Sequence, residues 1–258
     1  KIRWQQDPMI KALDDFNISS EGVRELRFLL YGPVGAGKSS IINTINTVFE
    51  GNHYINCLTA SALTGDSFTT KVSAPVVKNF AFYDVMGLEE GVYKGVHPGD
   101  IINAVKGHIP DDYKFKYNAP IDKENTNYIN KPTLNDQIHC LVSVIPADKI
   151  TIINDGVIQK MKEIRAEASE LGDGFMTRVD QVCIMTQRDI TKIYQSRKIK
   201  EKMMECSNRL GVVMNCIFPV KNYSDDNNPN EKLNCLMLEA LTQIVQDRLM
   251  SYHKTYHI

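Results

Sequence analysis

The chain has 258 residues, 43% of them hydrophobic, and its 30 basic and 31 acidic residues leave a formal net charge of −1. That length can bury one large core or two small ones, and the balanced charge argues against broad attraction to nucleic acid or anionic membrane. No apolar run approaches the roughly 20 residues of a membrane span. The six cysteines (57, 140, 183, 206, 216 and 235) show no C-x-x-C spacing. They read as reduced thiols used as small apolar residues, which suits the cytoplasm. The opening residues Lys1-Ile2-Arg3-Trp4 contain neither an initiator Met nor a signal-like apolar stretch, and the expectation is a piece of a longer chain.

Residues 1–24 stand apart in character. Asp7 followed by Pro8 reads as an N-cap and first helical residue, predicting a short helix through Phe16 with Ile10 and Leu13 on one face. This segment is expected to be a docked helix or connector, with residues 25–258 forming the main domain.

The run Leu26-Arg27-Phe28-Leu29-Leu30-Tyr31 has the pattern of a buried strand. It leads directly into GPVGAGKS, which satisfies every fixed position of G-x-x-x-x-G-K-[ST] at Gly32, Gly37, Lys38 and Ser39. Residues 40–49 then carry apolar positions at helical spacing. Strand, glycine loop and helix are the context that gives this motif its chemistry. Glycines let successive N–H groups turn inward around a phosphate, and the helix N-terminus adds positive potential. The loop backbone at Val34, Gly35 and Ala36 and the first helical residue Ser40 complete the expected cradle. Lys38 is placed to reach the outer phosphates, and the Ser39 hydroxyl to ligate Mg²⁺.

Further strands are predicted at 70–77 and 79–84, the second ending in Asp84-Val85-Met86-Gly87. A D-x-x-G tetrapeptide at the end of the strand after the phosphate-loop helix points to Asp84 as a water-mediated metal ligand and Gly87 as a γ-phosphate contact. Thr69, with Thr70 as the alternative, is the expected hydroxyl completing the metal shell. Many GTPases place a glutamine directly after that glycine to orient the attacking water. Leu88 stands there, and an alkyl group orients no water, so hydrolysis is expected to be slow.

Residues 89–137 form a polar insert with four prolines (98, 110, 120 and 132), longer than an ordinary strand connection. Within it Tyr113-Lys114-Phe115-Lys116-Tyr117 reads as a short edge strand with aromatics turned inward. Strands follow at 138–145, 181–186 and 214–220. Between them Val157, Met161, Ile164, Ala168 and Leu171 form one helical stripe, ending at Gly172 as a C-cap. Ile199, Met203, Cys206 and Leu210 form another, and Leu233, Met237, Ala240, Leu241, Ile244 and Val245 the last. His139, inside a strand, reads as a core or edge histidine. The predicted fold is α/β, a mostly parallel sheet of about six strands with helices on both faces and a G-domain-like arrangement.

Guanine selectivity in such folds comes from [NT]-K-x-D after the fifth strand. With that strand at 181–186, Thr186-Gln187-Arg188-Asp189 occupies the position, making Thr186 and Asp189 the expected base-reading residues and Gln187 the departure. The phosphate loop does not itself select the base, so an ATP-using protein stays open as an alternative. A loop over the base is expected after the sixth strand, with Asn222 in it.

Four segments, LRFLLYGPVGAGKSSIINTINTVFEG, YDVMGLEEG, DIINAVKGHIPDDYKF and FPVKNYSDD, resemble the interferon-induced protein 44 and 44-like family over nearly the whole chain, insert included. The resemblance implies a P-loop GTPase domain binding GTP/GDP with Mg²⁺, a mainly cytoplasmic setting, a part in antiviral responses, and a further domain N-terminal to this one. Relation to septin, dynamin and immunity-associated GTPases implies nucleotide-dependent homodimerisation. A module that displays a protein-partner surface, with negligible hydrolysis, is the competing reading.

Overall fold

The computed structural model describes residues 4–16, 22–51, 70–73, 79–91, 94–111, 113, 115, 119–168, 172–223 and 229–256. Six strands form one sheet: β1 (Leu26–Tyr31), β2 (Thr70–Ser73), β3 (Phe80–Asp84), β4 (Cys140–Pro146), β5 (Gly172–Thr177) and β6 (Ile217–Pro219). Among the described residues seven α-helices accompany them: α1 (Gln6–Asp14), α2 (Lys38–Glu50), α3 (Pro98–Val105), α4 (Asp155–Ala168), α5 (Ile184–Arg188), α6 (Arg197–Leu210) and α7 (Glu231–Tyr256).

The strand order is β2-β3-β1-β4-β5-β6, parallel throughout except for the antiparallel β2–β3 pair. Every residue of β1 and β4 is buried, as expected when helices cover both faces of a parallel sheet. One helical layer is α1, α2 and α7 packed together, and the other is α3, α4 and α6. β1 lies where the chain turns from building one side of the sheet to building the other. The carboxyl ends of strands at such a point form the ligand crevice of open α/β sheets.

The fifth strand corrects the sequence reading. Gly172 opens β5 rather than capping a helix, and α4 is described through Ala168. Residues 181–186, read as a strand, instead leave a 3₁₀ turn (Val179–Gln181) and enter the short helix α5. The physical cause is local. Two glycines in Gly172-Asp173-Gly174 look like a turn, yet a Cβ at Gly174 would lie 2.8 Å from the Ser143 hydroxyl of β4, so the close strand approach needs glycine there. The short apolar run Val182-Cys183-Ile184-Met185 has no periodicity that separates strand from helix, and Ile184 and Met185 prove exposed.

Smaller corrections are similar in kind. α1 starts at Gln6 with Gln5 as its N-cap, so Asp7 and Pro8 lie inside its first turn. Met9 and Leu13 of α1 join the main core. β6 keeps only three residues, after a 3₁₀ turn at Met214–Cys216. The insert contains α3, N-capped by the His97 ring with Pro98 at the first helical position. Tyr113 and Phe115 are buried and meet edge to face at 5.5 Å, though neither lies in a strand.

The insert is tied to β1 by Arg27. Its guanidinium donates to the Tyr83 hydroxyl (2.8 Å), to Asn135 O (2.8 Å) and to the Asp111 carboxylate, and lies 4.7 Å from the Tyr83 ring centroid. His139 is buried just before β4 rather than inside a strand. Its Nδ1 accepts from Arg27 N (2.9 Å), so Nε2 carries the proton donated to Leu134 O (2.9 Å). Burial keeps this ring neutral, its pKa pulled down to about 4.

Candidate nucleotide site

The loop after β1 is built as the motif requires. Gly32 runs so close to β4 that a Cβ would sit 2.2 Å from Val144 O. Gly35 and Gly37 take left-handed φ values of 73° and 93°, which only glycine adopts freely, and Gly37 is the N-cap of α2. Such turns direct successive N–H groups toward an anion. Ala36 is buried in the loop's interior, and Val34 is exposed at its rim.

Lys38 is buried at the start of α2, its Nζ donating to Gly32 O (3.4 Å) and Pro33 O (3.3 Å). The Ser39 hydroxyl donates to Asp84 Oδ2 at the end of β3. Burial draws the Lys38 ammonium downward and pushes the Asp84 carboxyl upward, each opposed by attraction to the other. Asp84 Oδ1 is buried with no hydrogen-bond partner. An orphaned carboxylate oxygen beside a serine hydroxyl is a hard-oxygen donor set of the kind Mg²⁺ takes, so these residues fit the ion the motif implies.

Gly87 lies against the loop: a Cβ there would fall 2.4 Å from Val34 Cγ2 and 2.6 Å from its Cα. Leu88 N–H donates to Gly32 O (2.9 Å), and Leu88 O accepts from Val34 N–H (3.4 Å). The Leu88 side chain is 1% exposed, turned into the core. Thr69 lies outside the described residues. Thr70 begins β2, and the described part of that residue is its backbone. Ser40, the next helical residue, accepts from the Thr44 hydroxyl through its carbonyl (2.8 Å).

Two groups grip the loop from the far side. Thr177, the last residue of β5 and fully buried, donates its hydroxyl to Ala36 O (2.7 Å). Asn222, after β6, donates to Gly37 O (3.3 Å), while its own Oδ1 accepts from Thr44 (3.4 Å). Asn222 thus lies in the segment after β6, beside the glycine loop. Thr186 and Asp189 are not joined to the loop: Asp189 caps the 3₁₀ turn Ile190–Gln195, accepting from Thr191 N (3.1 Å) and its hydroxyl (2.7 Å). Those bonds from Thr191 hold its carboxyl below the usual range.

What directly follows the true fifth strand is Thr177-Arg178-Val179-Asp180, a T-x-x-D with a basic second residue that sequence reasoning passed over. Arg178 is the one non-glycine residue with positive φ among those described (58°), and it pairs with Asp148 at 2.9 Å. The tetrapeptide itself was the available signal, hidden because its strand was taken for a helix cap.

Comparison with known proteins places this arrangement. The chain is 31% identical over 251 residues to mouse interferon-induced protein 44, covering 92% of this chain and 58% of that protein. The human 44-like protein is 28% identical over 257 residues (95% and 56%), and human interferon-induced protein 44 is 30% identical over 248 residues (92% and 55%). The chain is a homologue of the interferon-induced protein 44 and 44-like proteins. It spans just over half the length of these curated relatives. No family model matches it. Among solved structures, a dimerization-deficient mutant of Toc33 from Arabidopsis thaliana overlaps 93% of this chain and 90% of its own, at 11% identity and a TM-score of 0.45. At those values it adds nothing to the topology read from the chain itself. No described helix is long and apolar enough to cross a membrane. The chain thus shares sequence with these proteins over nearly its whole length and carries the phosphate-loop residues Gly32, Gly37, Lys38 and Ser39.

Proposed function

We propose that the chain binds GTP and GDP and acts as a slow Mg²⁺-dependent GTPase. The observation that carries this is the convergence of five side chains from four separate segments on one loop. Lys38 and Ser39 of α2, Asp84 of β3, Thr177 of β5 and Asn222 after β6 all bond within or directly around the glycine loop.

In this reading the loop N–H groups and Lys38 balance the charge of the outer phosphates. Ser39, and Asp84 through water, would hold Mg²⁺, which would supply charge neutralisation to the outer phosphates. Thr69 remains the proposed switch hydroxyl, and Gly87 N–H the γ-phosphate contact. For the base, Asp180 replaces Asp189 as the proposed reader. Its carboxylate follows the strand whose Thr177 already bonds the loop, and it would accept from the guanine N1 and N2 hydrogens. Arg178 supplies the long stem that a lysine provides elsewhere.

The buried Leu88 side chain favours a second reading, in which hydrolysis is negligible and the nucleotide-bound state presents a surface to protein partners or a second copy. Interferon induction comes to this chain only through the names of its relatives, and an antiviral role and a cytoplasmic setting only through the family resemblance of its sequence; all three are proposed on that basis.

Calorimetric titration with GDP, a non-hydrolysable GTP analogue and ADP, each with Mg²⁺, tests the central claim. Guanine-selective binding lost in Lys38→Ala is the expected result. Asp180→Asn should weaken guanine and favour xanthine nucleotides, because the amide donates where the carboxylate accepted. Equal affinity for ADP would overturn the base assignment, and no binding at all would remove the function.

A further inference from the structure

The segment after the D-x-x-G glycine is held from two sides by groups of the chain itself. On one side Leu88 bridges to Pro33 of the glycine loop, through the bonds to Gly32 O and from Val34 N already described, and forms a second bridge with Gly95. On the other, Lys160 of α4 sends its ammonium to two carbonyls of the same segment, Glu89 O at 2.8 Å and Gly91 O at 2.6 Å. The packing leaves no slack: a Cβ on Gly95 would sit 2.4 Å from Gly87 O, and one on Gly87 would collide with Val34.

An order–disorder switch needs a segment that the γ-phosphate contacts alone bring into place. Here a charged donor reaching across roughly 70 residues of sequence does part of that ordering. We propose that Lys160 is a positioning residue for γ-phosphate recognition: it clamps residues 87–91 against the glycine loop, so that Gly87 N–H is presented in place rather than ordered by the ligand. This rests on the nucleotide reading above. It makes a specific claim about energy. Ordering that the clamp performs need not be performed by GTP, and GDP, which lacks the γ-phosphate, draws no benefit from it.

The test compares Lys160→Met, which keeps the stem and removes the donors, with Lys160→Arg, which keeps donors at the same reach. Affinities for GDP and for a non-hydrolysable GTP analogue are measured with Mg²⁺, alongside amide hydrogen exchange of residues 87–91 without nucleotide. Lys160→Met should weaken the GTP analogue by about ten- to a hundredfold, from the loss of two charge-assisted bonds, and leave GDP within about twofold. Exchange at 87–91 should accelerate, and Lys160→Arg should recover most of both effects.

Equal weakening of GDP and the analogue would overturn the proposal, leaving Lys160 a general support of the fold. So would unchanged exchange in Lys160→Met, whatever the affinities. If the unmodified chain bound neither nucleotide, the parent reading would fall. In that case faster exchange in Lys160→Met would still establish the clamp, which separates the two failures.

Discussion

Replacing Thr177 by valine isolates one hydroxyl at the centre of the site. The two side chains are nearly the same shape, so no cavity opens, and the change removes the donor that meets Ala36 O at 2.7 Å. Both residues are 0% exposed, so water does not readily replace the lost partner. A buried acceptor deprived of its donor costs about 1–3 kcal/mol. For a domain of this size that corresponds to a fall in Tm of about 2–4 °C per kcal/mol. The same bond sets the loop's shape, so if the whole cost falls on the phosphate cradle, GDP affinity drops by about 5- to 150-fold. The assay is calorimetric titration with GDP beside thermal unfolding, for Thr177→Val, Thr177→Ser and Thr186→Val. Thr177→Ser keeps the hydroxyl and should bind nearly as the parent does. Thr186→Val should bind normally, because Thr186 is not joined to the loop. If Thr177→Val bound GDP normally while Thr186→Val lost it, the assignment of Thr177–Asp180 as the base-side motif would be wrong.

Three further outcomes are expected. Leu88→Gln should not accelerate GTP hydrolysis, because that side chain is turned into the core. It should instead lower stability by about 1–3 kcal/mol through a buried amide, and a single-turnover assay showing faster hydrolysis would contradict this. Arg27→Met should cost about 3 kcal/mol in denaturant unfolding, the low end for breaking a buried ion pair, since Asp111 keeps 41% of its side chain exposed. Its signature is faster hydrogen exchange in residues 108–136 with GDP affinity unchanged. Asp100→Asn tests a buried carboxyl in α3 whose Oδ1 accepts from Ile121 N (2.7 Å) and whose Oδ2 has no hydrogen-bond partner. Burial lifts its pKa from 3.8 to about 6. Between those values the native state binds more protons than the unfolded one, so this carboxyl lowers stability as pH rises, with the loss complete above pH 6. Asparagine carries no such charge. The stability of Asp100→Asn relative to the parent should therefore climb between pH 4 and 6 and then level, by on the order of 3 kcal/mol. A difference independent of pH would refute it.

Much of this site was legible in the sequence because its chemistry is contiguous. The stretch from Leu26 to Ser39 gives strand, glycine loop and helix start in one run, and Asp84 to Gly87 ends an unmistakably apolar strand. Asn222 follows the last strand and bonds the loop, which the order of elements made readable. Reading failed where local pattern and tertiary need diverge. Gly174 serves close strand packing yet looks like a turn, and the misplaced fifth strand drew attention to Thr186–Asp189 instead of Thr177–Asp180, the segment that directly follows β5. The bonds of Lys160 to Glu89 and Gly91, and of Arg27 to Asp111 and Asn135, link residues about 70 to 110 positions apart. No periodicity announces them. The burial of Leu88 was equally hidden, since a leucine after the glycine says only that glutamine is missing.

Arg27 has a mechanical consequence. β1 is six residues long, about 20 Å, and is bonded on both sides by β3 and β4. Near its first residue it is fastened to the insert by a guanidinium with two partners there, Asp111 and Asn135, and from its last it suspends the phosphate loop. A pull on the insert therefore loads β1 lengthwise, in shear against two hydrogen-bonded ladders that must yield together rather than one bond at a time. The strand acts as a stiff strut, and whatever takes hold of the insert at one end also holds the mounting of the phosphate loop at the other.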